Sequence, residues 1–143
     1  MYVTTGSGKI IGTTFGLIPD LQLQNPLILG PNNTIAGTVR VNAALVNHGL
    51  VDPGGAGETG CVLELQCHPK IGAGNWAVTG TGNRMRIVTP VAGTGNLSVE
   101  GTLDVERHLW LHGTFFMGSG ATVNISKEVV LDVGQFQPME CPE

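Results

Sequence analysis

The sequence predicts an all-β chain wound in coils around one core, and three observations carry that expectation. Between residues 97 and 117 the apolar side chains keep to odd positions: Leu97, Val99, Leu103, Val105, Leu109, Leu111, Phe115 and Met117. Most even positions there are polar, among them Ser98, Glu100, Thr102, Asp104, Glu106, His108 and His112. A period of two is the period of a strand with one buried face. A longer repeat lies on top of it. Residues 97–105 (LSVEGTLDV) are echoed twelve positions later by residues 109–117 (LWLHGTFFM). Odd parity also survives the next turn, at Val123, Ile125, Val129, Leu131 and Val133. A chain that keeps its inside on one parity through several turns reads as stacked coils, a β-solenoid. The alternative is a β-sandwich or jelly roll, since alternation with one polar face also suits antiparallel strands.

Composition supports the class. The chain has 143 residues, enough for one domain with a real core. Twenty-two glycines and eight prolines call for many turns. Only 13% of residues are charged, about half the usual quarter. No window places apolar residues at three-four spacing, so helices are not expected. The net charge is −4 with no basic stripe, which excludes a general nucleic-acid binder. No apolar run approaches a membrane span, so no membrane insertion is expected. The first residues lack a basic start followed by a long apolar stretch, so no secretory signal is expected.

Taken in order, residues 1–20 read as an extended arm or end cap. Ile10, Ile11, Phe15 and Leu17 are its expected anchors on a neighbouring subunit, because so few apolar groups cannot order it alone. Residues 21–134 are the expected solenoid. It begins with 21–29, an edge or entry strand broken by Pro26. Residues 30–33 form a turn, and from 34 the motif appears with Ile35, Gly37, Val39 and Val41. Gly49 follows Gly37 by twelve residues, as Gly113 follows Gly101. A glycine at the same place in each unit predicts unusual dihedrals or close backbone approach. Twice twelve is the expected coil length.

Residues 52–60, 68–75 and 90–95 read as loops, rich in glycine and proline. Between them lie strands at 61–67, 76–79 and 85–88. Cys61 and Cys67 fall on the apolar parity of the first of these. Six residues of strand span roughly 20 Å, too far for a disulfide, so both are expected as buried free thiols. Residues 135–143 read as a tail, with Cys141 free or bridged to another chain. No CxxC occurs, so no cysteine metal site is expected.

The units at 34–41, 97–105 and 109–117 resemble coils of the right-handed parallel β-helix proteins. These are the pectate-lyase-like solenoids also seen in phage tailspikes and adhesins. The likeness covers about residues 27–134 and implies that fold. The family includes polysaccharide lyases with clustered acidic residues for calcium, and hydrolases with aspartate pairs. Here the acids are scattered and no Asp-Asp or Asp-x-Asp occurs. No catalytic, metal or cofactor-binding residue is therefore carried over, and no cofactor is expected.

His108, Trp110 and His112 fall on the outer face of one strand. Histidines at i and i+4 of a strand lie about 13 Å apart, too far to share one metal. Trp110 and Phe116, on what reads as a polar face, are the expected oligomer interface, ahead of a sugar-stacking platform. Glu100, Asp104 and Glu106 read as a solvated acidic face, and Arg107 as a corner residue. The expected function is a non-enzymatic structural or attachment protein that associates with copies of itself and with other structural proteins. The leading setting is a virion surface: a capsid decoration, head fibre or tail fibre. The alternatives are a subunit of an extracellular filament or adhesin, and a carbohydrate-binding or carbohydrate-degrading β-helix module.

Overall fold

The computed structural model describes residues 2–12, 20–21, 25–126 and 129–138, and the side chains of all of these except 20 and 135–138. The chain is a parallel β-solenoid of about six turns. The first coil holds β1 (Tyr2–Val3), β2 (Lys9–Gly12) and β3 (Asp20–Leu21). The second holds β4 (Leu27–Leu29), β5 (Thr34–Gly37) and β6 (Val39–Val41). The third holds β7 (Leu45–Asn47), β8 (Leu50–Asp52) and β9 (Val62–Leu65), with a short 3-10 turn at Pro53–Ala56. The fourth holds β10 (Lys70–Ile71), β11 (Asn75–Val78) and β12 (Arg84–Ile87). The fifth holds β13 (Val91–Gly93), β14 (Leu97–Val99) and β15 (Thr102–Val105). The sixth holds the long β16 (Leu109–Met117) and β17 (Thr122–Ile125), and β18 (Leu131–Pro138) follows it.

Every pairing between these strands is parallel and joins one coil to the next. Three sides result. Side one stacks β1, β4, β7, β10 and β13, and side two stacks β2, β5, β8, β11 and β14. The two halves of β16 close both stacks: residues 109–111 pair with β13 and residues 115–117 with β14. Side three stacks β3, β6, β9, β12, β15 and β17. The ladder extends beyond 21–134 in both directions, since β1 and β2 pair with the second coil and β18 pairs with β16 as far as Pro138.

The coil length departs from the expected twice twelve. Successive partners Leu27, Leu45, Lys70, Val91 and Leu109 lie 18, 25, 21 and 18 residues apart. The shortest coil spends six residues on each side: Val91, Leu97, Leu103 and Leu109 each begin one. A twelve-residue echo is therefore two sides of an 18-residue coil. Residues 97–105 and 109–117 are not stacked on one another; Leu97 lies beside Phe115 and Leu109 beside Val91. The longer coils carry their extra residues in corner loops, above all 53–60.

The core is a set of rows running along the axis. On side three Leu63, Met85 and Leu103 form one row and Leu65, Ile87 and Val105 the next, all buried. Side two contributes Ile35, Val51, Trp76, Leu97 and Phe115. Burying an aliphatic side chain of this size is worth roughly 1.5–3 kcal/mol, so the rows supply the driving force that scarce charges and short strands cannot. Corners add polar order. Asn83 is buried; its Oδ1 accepts from the Cys61 N–H at 2.9 Å and its Nδ2 donates to Thr79 O at 2.7 Å. Asn33 and Asn47 bond turn backbone in the same manner. Buried turns keep their backbone groups satisfied this way.

Parity breaks once. After Leu65 the inside moves to even positions, at Lys70, Trp76 and Val78, and returns to odd at Asn83 and Met85. The break coincides with Cys67, whose φ of 70° makes it the one non-glycine residue with positive φ among the described residues. Cys67 is consequently exposed at a corner, not buried with Cys61 as its spacing suggested. Both thiols are free, and Cys141 lies outside the described residues. Two expected loops are also corrected: β10 lies within 68–75 and β13 within 90–95. Glycine and proline hide these two short strands of side one in the sequence.

Candidate functional site

The outer surfaces of the three sides differ sharply in chemistry. On side three, register places Arg40, Glu64, Arg86, Asp104 and Asn124 in one outward row. Its charges alternate along the axis. Arg86 Nη1 lies 2.9 Å from Glu64 Oε2, and its Nη2 lies 2.8 Å from Glu106 Oε2. The hydrogen bond with Glu106 raises the Arg86 pKa above the ordinary arginine value. Arg84 pairs with Asp104 at 3.0 Å, and Asn124 donates to Asp104 at 2.8 Å. Asp104 and Glu106 are thus bonded within a ladder of opposite charges, a correction to the expected solvated acidic face. The row neutralises itself and offers little to a ligand. Glu100 stands apart and accepts from the Gly80 N–H.

Side two is partly roofed by its own chain. The turn at Pro53–Ala56 packs on β5, and Lys9 Nζ donates to Gly55 O at 2.8 Å. Asp52, buried beneath, accepts from the N–H groups of Gly54 and Thr79 and so pins the loop. A depression of about 200 Å³ at this end is lined by Thr4, Thr5, Gly8, Lys9, Ile10 and Asn33. Thr4, Lys9 and Asn33 already spend their polar atoms on hydrogen bonds within the chain.

Side one is different. Its central outward row reads Val3, Ile28, Val46, Ile71, Ala92 and Trp110, one residue per coil in parallel register. The row beside it reads Pro26, Ala44, Pro69, Pro90, His108 and Val130, fixed by backbone bonds such as Lys70 N to Pro90 O and Val91 N to His108 O. Val3, Ile71, Trp110 and Val130 are 59%, 49%, 36% and 50% exposed. Among the described residues the one charged side chain in these rows is Asp132, beside Trp110 in the next coil. At strand spacing of about 4.8 Å the rows make an apolar strip roughly 29 Å long and 10 Å wide. At roughly 300 Å² the strip is at the low end of the largest apolar patches that monomeric proteins expose.

Of the residues expected from sequence at an oligomer interface, Trp110 lies on the strip. Trp110 stands on it, packed against His108 with ring centroids 5.2 Å apart. Ala92 lies beside Trp110 in the coil before and Asp132 beside it in the next. Phe116 is half-buried and lies on side two, in register with Ser98. The two aromatics do not share a face, because β16 spans two sides, with a register irregularity between Leu111 and Thr114. Ile10 is half-buried against the core of its own chain and Ile11 is exposed on side two. Phe15 and Leu17 lie outside the described residues. His112 approaches one acidic group, Asp132, at 3.7 Å. Among the described residues no three His, Cys, Asp or Glu side chains group as a metal site would require. Among the described residues there is also no helix long and apolar enough to cross a membrane.

Comparison with protein families, with curated proteins and with solved structures was made against this background. None matches.

Most of side one was invisible to sequence reading. Its row members lie 18 to 25 residues apart, and Pro69, Ile71, Pro90 and Ala92 sit in segments that read as loops. One available signal was the proline placed one residue before an inward position in three coils, at Pro26, Pro69 and Pro90.

Proposed function

We propose that this chain is a non-enzymatic structural or attachment protein that works by associating with copies of itself through side one. The observation that carries this reading is the segregation of charge. Arginines and acids crowd the outside of side three, while side one carries an apolar strip across at least five coils. A second copy is the occupant the strip fits best. It offers an equally uncharged face with the same coil-by-coil spacing, so isologous pairing meets row with row. The outline of roughly 300 Å² falls short of the roughly 800 Å² per partner of a standard interface. Association through this face alone is accordingly weak and concentration-dependent. Isologous pairing closes at a dimer, which would serve as the unit of a larger assembly, and a virion surface is the setting we favour, ahead of an extracellular filament.

Sedimentation velocity over a wide concentration range tests the reading. The expected result is a rise in mass with concentration, abolished by Ile71→Glu with Trp110→Glu while circular dichroism stays unchanged. A parent that remains monomeric throughout, or a double variant that associates like the parent, overturns it.

A second reading has one specific observation behind it. Trp110, exposed and braced by His108, is a flat ring of the kind that stacks on sugars. Quenching or a blue shift of its fluorescence by oligosaccharides at millimolar concentration would favour that reading.

A further inference from the structure

All four histidines of the sequence border side one. His108 stands in the proline row and His48 and His112 beyond the opposite edge of the central row, in register with Ala73 and Thr94. His68 occupies the corner immediately before Pro69, and all but the half-buried His108 are exposed. Histidine is the side chain whose charge changes between pH 5 and 8. The face with almost no fixed charge thus carries every group that acquires charge in that interval as a histidine. We propose that protonation of these histidines releases the self-association, so that copies pair at neutral pH and separate in mild acid. This rests on the assembly reading above.

The surroundings of each histidine set its part. Nδ1 of His108 accepts from the Val130 N–H at 3.0 Å. A proton on that nitrogen turns the acceptor into a donor aimed at a donor, and this one bond, to the residue before β18, is lost. Pro90 lies beside His108 in the preceding coil. The charged residue nearest in the chain is Arg107, whose Nη1 donates to Glu106 O, and a charged His108 adds to a like charge there. The Glu106 carboxylate is engaged by Arg86. Nε2 of His112 lies 3.7 Å from Asp132 Oδ2, an acidic group at its side. His48 faces Gly30 and Ala73 in the adjoining coils, with no opposite charge in register. His68 sits between Cys67 and Pro69, while the nearby Lys70 ammonium is turned into the core. His48 and His108 are therefore the main contributors. In an isologous pair every new charge appears twice on facing surfaces. An interface as small as this one has little to set against that repulsion.

The test compares the parent with a His48→Gln, His108→Gln, His112→Gln variant by sedimentation velocity at pH 7.5 and 5.5, with circular dichroism at both. The expected result is a dimer Kd at least tenfold weaker at pH 5.5 for the parent and within threefold for the variant, with folded spectra throughout. A parent Kd that does not move, a variant that weakens as the parent does, or dissociation accompanied by unfolding overturns the proposal. A pH-independent dimer leaves the assembly reading standing and removes only this one. A parent monomeric at pH 7.5 removes both.

Discussion

Lys70 is the residue that least resembles its surroundings. It occupies an inward position between Leu45 and Val91 in a row of leucines and is fully buried. Its Nζ donates to Ala43 O and Gln66 O, each at 2.7 Å, and so ties together two corners of successive coils. Burial lowers its pKa from 10.5 to about 8. Between pH 8 and 10.5 the unfolded chain holds this proton and the folded chain does not, so stability rises with pH across that window. Below pH 8 both states hold it and the group adds no slope. The rise is of the order of 3 kcal/mol. Denaturant titrations of the parent and Lys70→Met at pH 7.5, 9 and 10.5 isolate it by difference, since other groups titrating there are common to both. Equal slopes in the two proteins would show that the ammonium is not desolvated. Sequence reading placed Lys70 in a loop, because a lysine between prolines and glycines has every mark of a surface turn. The two tryptophans make the same point. Both stand in strands, yet Trp76 is buried and Trp110 exposed, because the parity shift at Cys67 moves even positions inward for Trp76 alone.

At the scale of the element, the glycines singled out by the twelve-residue echo have two distinct roles. Gly37 has a φ of 83°, a left-handed conformation that disfavours any other residue. Gly49, Gly101 and Gly113 have ordinary φ, and close approach alone excludes a side chain. A Cβ on Gly101 would run into the carbonyl oxygen of Asn83 in the coil before, and one on Gly113 into that of Gly95. Sequence spacing offered both explanations and had no means to assign them, since dihedral and inter-coil distance are properties of the stack. Gly101→Ala must push two coils apart at a corner whose backbone bonds, Thr102 N to Asn83 O among them, hold the stack in register. Overpacking of this kind costs about 1–3 kcal/mol. Urea denaturation should show that loss; a change under half a kcal/mol would mean the corner yields freely. The odd-parity strands were legible because their own residues carry the pattern. The expected core residues Leu103, Val105, Leu109 and Leu111 are all at most 1% exposed. Ile125 shares their parity but is 49% exposed, because burial also needs a coil on each side.

That dependence on neighbours governs the molecule as a whole. In a solenoid each coil touches only the coils beside it, so stability is a sum of nearest-neighbour terms and is greatest where both neighbours are complete. The rows record this. Leu63, Met85 and Leu103, in the third to fifth coils, are wholly buried, while Val123 in the same row is only half-buried. At the other end Ile10 is half-buried where its row partners Ile35 and Val51 are sealed. Leu131 and Val133, in β18, are also half-buried. Opening the structure from either end therefore exposes less apolar surface than opening it in the middle. Amide hydrogen exchange should show a gradient along the axis. The slowest amides should lie in β8, β9, β11, β12, β14 and β15, and the fastest strand amides in β1, β2, β17 and β18. The experiment is best run at low protein concentration, where the copies are apart. Uniform protection across all coils would mean that the chain unfolds as one cooperative block, and a minimum in the fourth coil would mean that buried Lys70 and the shifted parity break the stack there.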